Sequence, residues 1–236
     1  MRSNYTISYT PRKDIYMLNT ILSGDMTSII LSAFSLLIVL FVCFPVHECA
    51  HATVAKWLGD DTAERQGRVT LNPFAHLDIL GTIGLILFGI GWAKPVPVQP
   101  YRCRKIRSQK AAMALTAAAG PISNILISLI FMIIWKILIV TGALVSIPYL
   151  SYIMNMVITT NLYLAVFNLL PIPPFDGSRI FLAFLPQKYY FSIMKYEQII
   201  MLVILGLLWT GILDIPFMFL SNGLYSFLNL ITGFIC

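Results

Sequence analysis

Charge is scarce in this chain. Only 11% of its 236 residues are Asp, Glu, Lys or Arg, against 58% hydrophobic residues and a mean hydropathy of +0.82. A soluble domain needs a more polar surface than this composition can supply. Cysteine is also sparse. Cys43, Cys49, Cys103 and Cys236 include no CxxC pair, which excludes a zinc-ribbon spacing and argues against a disulfide framework. Cys43 and Cys49 read as small apolar fillers. Repeats and low-complexity tracts are missing as well. The net charge of +6 is no nucleic-acid footprint, because five of the sixteen basic residues crowd into "YRCRKIRSQK", a basic loop suited to a membrane face. Membrane lipid is therefore an expected partner and nucleic acid is not.

What remains is a series of apolar runs near the ~20 residues a helix needs to cross the hydrocarbon. They predict an all-α polytopic membrane protein. Spans are expected over about 27–57, 109–141, 152–170, 199–213 and 217–234. The first run is too long for a signal peptide. Residues 14–23, "DIYMLNTILS", read as an interfacial amphipathic helix or a loose terminus. The apolar stretch 79–93 is short and rich in glycine, which suits a re-entrant segment. "GRVTLN" alternates like a strand. Lys136 is expected to snorkel outward from the far end of its helix. The chain divides into an N-terminal interfacial segment (1–26), a membrane-embedded core (27–185) and two C-terminal helices (186–236).

Histidine and glutamate are rare, with three of each in the chain, and two histidines and one glutamate fall in "FPVHECAH". On a helix, His47 and His51 lie one turn apart on one face and can direct two ring nitrogens at one ion. Glu48 borders the same site. This is the HExxH arrangement, two ligands and a carboxylate that takes a proton from metal-bound water. Ionisable groups within a span are costly and point to function. A catalytic zinc usually has a third protein ligand. The candidates are His76, Asp78, Asp176 and Asp214. Asp176 is preferred: the prolines of "LPIPPFDG" forbid a continuing helix, and a backbone that turns back into the bundle would carry Asp176 to the depth of the histidines. Gly177 is expected to relax the backbone beside it. His76 reads as an interfacial loop histidine.

The same depth argument bears on topology. If 79–93 spans, the histidines and Asp176 fall near opposite faces. If it re-enters, all three meet near one face, on the side of the basic loop, and the positive-inside bias makes that side cytoplasmic.

"HECAH" on the first long helix, "AAAGPISN" on a later one and "FNLLPIPPFDG" closing the next resemble the site-2 protease family of intramembrane zinc metalloproteases. "GWAKPVPVQP" resembles its short bacterial branch without a PDZ domain. The resemblance covers about residues 40–182. It departs from the family in one detail: Cys49 and Ala50 stand where Leu-Gly is commoner. It implies a three-helix core around one Zn2+ per chain, with His47, His51 and Asp176 as ligands and Glu48 as general base. Asn168 matches the asparagine assigned to the oxyanion or the substrate backbone, where a helix–helix hydrogen bond is the alternative. Gly120, Pro121 and Asn124 match a segment that contacts substrate, where a helix kink with a packing polar residue is the alternative. The implied function is hydrolysis of peptide bonds within or near transmembrane segments, in a multi-pass protein of the cell membrane, with an upstream site-1-type protease as partner. The alternatives are a metal transporter or a non-catalytic binder of membrane segments. Transporters usually spread ligands over several helices, and this chain has one cluster. Membrane proteases with a downstream glutamate ligand fit poorly, since Glu197 has no metal-ligand motif around it.

Overall fold

The computed structural model describes residues 26–88 and 94–235. The amphipathic stretch expected at 14–23 lies outside the described residues. Three helices are long and apolar enough to cross a membrane: residues 26–58, Gln109–Val140 and Tyr149–Asn168. The first is built of α1 (Met26–Ile38) and α2 (Phe44–Leu58), joined by a wider π turn over Val39–Cys43. Pro45 explains the join. It has no N–H for the Phe41 carbonyl, and its ring crowds that carbonyl. The helix widens instead, and the Phe44 N–H reaches back five residues to Val39. Gly59 ends α2 at φ 108° in the left-handed region, a conformation that favours glycine.

The remaining elements are α3 (Thr62–Arg65), α4 (Ile79–Phe88), α5 (Gln109–Val140), α6 (Ala143–Ser146), α7 (Pro148–Asn168), α8 (Asp176–Leu182), α9 (Gln187–Met194), α10 (Glu197–Thr210) and α11 (Asp214–Ile231). Helix α7 is central and packs against α1, α5 and α11, while α5 also packs on α2 and α8. One core cluster joins Met132 of α5, Ile158 and Leu162 of α7 and Leu228 of α11.

The helix faces are inverted relative to a soluble bundle. On α5, Ile122, Leu126, Ile130, Ile134 and Ile137 form an exposed apolar stripe. Gly120, Asn124, Ser128, Met132 and Lys136 form the buried one. Small and polar residues inside with apolar residues outside is the pattern of helices packed in lipid.

Three expectations change. Among the described residues there is no strand. Over Arg68–Asn72 the side chains compete for the backbone: Thr70 Oγ1 accepts the Asn72 N–H at 3.1 Å, and Asn72 Oδ1 accepts the Phe74 N–H at 3.1 Å. Lys136 does not snorkel. It is 5% exposed, and its amine donates to the Asn229 carbonyl of α11 at 3.1 Å. The C-terminal helices form near the expected positions, but α10 has 14 residues, about 21 Å of helix.

The ends of the long helices show how the chain is threaded. The Lys105 N–H bonds the Leu58 carbonyl at 3.1 Å, so the basic loop sits at the end of α2. Lys110 donates to the Leu185 carbonyl just beyond α8. Helices α2 and α7 therefore finish, and α5 begins, at one end of the bundle. His76 and Lys94 meet, the Lys94 N–H donating to the His76 carbonyl at 2.9 Å. The one described helix between them, α4, has 10 residues, about 15 Å, half of what a span requires.

Candidate metal centre

His47 and His51 face inward from α2, with Glu48 beside them; the three are 5%, 7% and 7% exposed. The two imidazole planes stand at 86° to each other, and their Nε2 atoms are 3.1 Å apart. Asp176 arrives from the opposite side. The chain leaves α7 at Asn168, crosses the proline-rich turn and starts α8 at Asp176, so the carboxylate projects from the first turn of a new helix. Asp176 Oδ2 lies 3.4 Å from His47 Nε2 and 3.2 Å from His51 Nε2.

The packing explains how this triangle forms. Gly177 is needed for space, not for a special backbone angle: a Cβ there would overlap the Leu169 and Leu170 carbonyls. The close approach brings the start of α8 back against the end of α7. Phe167 and Phe175 stack edge-on across the turn at 4.3 Å. On the other side, the α5 backbone at Gly120 lies against the His47 and His51 rings, where a Cβ would collide with both.

The donor set fits a divalent metal. The Thr116 carbonyl lies 2.7 Å from His51 Nδ1. A carbonyl only accepts, so Nδ1 carries the proton and Nε2 presents a lone pair. Asp176 Oδ2 is buried, yet it has no partner in hydrogen-bond geometry among the described residues. The three ligand atoms lie within 4.8 Å of one another. The triangle's edges are close to the ~3.3 Å that separates ligands around a tetrahedral zinc with bonds of about 2.0–2.1 Å.

The other candidates fall elsewhere. Asn168 donates through Nδ2 to Leu164 of its own helix at 3.0 Å. Pro121 is buried on α5 next to Gly120. Asn124 takes an Asn161 Nδ2–H on its backbone carbonyl at 2.6 Å, and its own Oδ1 is buried without a partner among the described residues. His76 is fully buried and binds the Thr70 carbonyl at 2.9 Å, apart from the triangle. Asp78 caps α4 by accepting the Gly81 N–H. Sequence reasoning passed over Asn161, and it read Arg68 only as the start of a strand-like stretch. The signal for Asn161 was an amide facing Ser128 across two packed helices; it donates to that hydroxyl at 3.1 Å.

A bundle of membrane-type helices thus brings an HExxH pair and an aspartate from a separate helix together in a group that could hold a metal ion, the class of site a membrane metalloprotein needs. The comparisons agree. The family model described as peptidase family M50 matches residues 135–210, which include Asp176 but not the histidines. The chain is 43% identical over 148 residues to YwhC of Bacillus subtilis (strain 168), which bears the name of a candidate zinc metalloprotease; the match covers 61% of this chain and 66% of that protein. It is 32% identical over 137 residues to MJ0611 of Methanocaldococcus jannaschii, similarly named, with 58% and 63% covered. The chain thus spans just under two thirds of the length of these relatives. No solved structure matches it. These similarities support membership of peptidase family M50, the site-2 protease family.

Proposed function

We propose that this protein is an intramembrane zinc metalloprotease, hydrolysing peptide bonds within or near the transmembrane segments of other membrane proteins. The observation that carries this reading is the convergence of His47 Nε2, His51 Nε2 and Asp176 Oδ2 beside the Glu48 carboxylate. A zinc ion held by these three residues would polarise a scissile carbonyl and lower the pKa of a water.

Glu48 serves as general base, taking the water's proton and returning it to the leaving amine. Thr116 holds His51 in the tautomer that leaves Nε2 free. Asn168 supplies an amide donor to the oxyanion or the substrate backbone once it turns from the Leu164 carbonyl. Gly120 and Pro121 shape the wall against the histidines, and Asn124 continues that wall one turn deeper. A substrate helix must unwind before cleavage, because its peptide groups are shielded by their own hydrogen bonds. The unwound stretch pairs by strand addition with the chain at Val96–Gln99. Residues 79–93 re-enter the membrane, a reading that the His76–Lys94 bond supports. The active site lies near the cytoplasmic face, a reading that the basic loop at the metal end supports. Helices α10 and α11 lie in the membrane beside the core, and an upstream site-1-type protease trims the substrate first.

The test is co-expression with a library of single-span membrane proteins. The parent should cut a subset of them, and Glu48→Gln should cut none. A parent that cuts none while binding zinc would favour a metal-binding transporter or a non-catalytic binder.

A further inference from the structure

Arg68 is 4% exposed, an unusual position for a loop guanidinium, since a buried cation is costly unless it is held. Its Nη2 donates to the Lys94 carbonyl, and its Nε is buried without a partner among the described residues. Lys94 is gripped a second time: its own N–H binds the His76 carbonyl at 2.9 Å. His76 in turn is fixed to the Thr70 carbonyl, two residues from Arg68. Both backbone polar groups of Lys94 are thus held.

Beyond that point the chain runs through "KPVPVQ". The prolines hold the residues before them, Lys94 and Val96, extended, and Gln99 is extended at φ −113° and ψ 95°. Gln99 gives its N–H to the fully buried Asp60 at 2.6 Å. Pro95 and Pro97 have no N–H. The backbone donors left are those of Val96 and Val98, which have no partner among the described residues. They stand two residues apart, the repeat at which an extended peptide offers its carbonyls to a neighbour. Arg68 is also electrically close to the proposed base. Burial lowers its pKa, and the charge of Glu48 opposes the fall.

We propose that Arg68 is a positioning residue that sets the register of cleavage: with His76 it clamps Lys94, and so fixes the Val96–Val98 donors relative to Glu48. This rests on the protease reading. The substrate class is an extended membrane peptide bound through its backbone. A clamp that slips by part of a residue would offer a different bond to the site.

The experiment maps product termini by mass spectrometry for a substrate that the parent cuts, alongside zinc content. Arg68→Gln should keep its zinc, lower kcat/KM by about 10- to 100-fold and spread the cut over neighbouring bonds. Arg68→Lys should recover part of the rate at the parent's bond. If Arg68→Gln does not accumulate, His76→Ala removes the ring that ties the His76 backbone to the Thr70 carbonyl, loosens the same clamp from its other side and should spread the cut likewise. In the inactive Glu48→Gln background, crosslinking from position 98 to the substrate should fall at least threefold on adding Arg68→Gln. The proposal is overturned if zinc-loaded Arg68 or His76 variants cut only the parent's bond, or if the crosslink is unchanged. A parent that cuts nothing would remove the protease reading itself, an outcome visible before any Arg68 variant is made.

Discussion

Gly120 lies so close to His51 that a single methyl group on α5 would overlap the imidazole. The metal site is therefore walled by backbone on this side. Gly120→Ala should push both rings off the triangle and weaken zinc binding by about 10- to 100-fold, the range seen when the support of a ligand is disturbed. Competition against a chelator of known affinity measures this. An unchanged affinity would mean that α5 can retreat.

The core of the site was legible because its signal is periodic. A four-residue spacing puts His47 and His51 on one helix face, and depth along the helices selected Asp176 from four candidates. The same depth argument favoured a re-entrant 79–93, and a hydrogen bond joins the residues that flank this stretch, His76 and Lys94. What was not legible depended on contacts between segments distant in sequence. The chain does not announce that Lys136 finds the Asn229 carbonyl, nor that Arg68 is buried against Lys94. "GRVTLN" alternates like a strand, but Thr70 and Asn72 bond the backbone locally instead. Gly120 was carried over as a substrate contact, and its close approach to the histidines could not be read from its neighbours in the chain.

Glu48 and Asn168 should separate chemistry from metal binding. Neither belongs to the ligand triangle, so Glu48→Gln and Asn168→Ala should each retain zinc. Removing a general base should lower kcat by about 10²- to 10⁴-fold. Removing the Asn168 amide should cost about 10²- to 10³-fold if it reaches the oxyanion. Kinetics on a reconstituted single-span substrate, with zinc measured in the same preparation, checks both. An Asn168→Ala enzyme with the parent's kcat would assign that amide to its helix alone.

Asn161 should behave oppositely. Its Nδ2 joins α7 to α5 through the Asn124 carbonyl and the Ser128 hydroxyl. Asn161→Ala removes both interhelical bonds, a loss of about 1–2 kcal/mol from typical values in membrane bundles. The thermal midpoint in detergent should fall while zinc stoichiometry holds. A large loss of zinc with no change in midpoint would place Asn161 in the site instead.

Zinc removal should destabilise the fold, because it leaves the converging lone pairs of His47, His51 and Asp176 buried without their common partner. Chelator treatment should lower the thermal midpoint, and added zinc should restore it; free metal at 100 times its Kd contributes about 2.7 kcal/mol. Asp176→Ala should abolish that zinc-dependent rise.

The most direct measurement is the zinc content of purified protein by elemental analysis, for the parent, Glu48→Gln and Asp176→Ala side by side. The account predicts one zinc per chain in the first two and little in the third. A parent without zinc, or an Asp176→Ala variant that keeps a full equivalent, would contradict it.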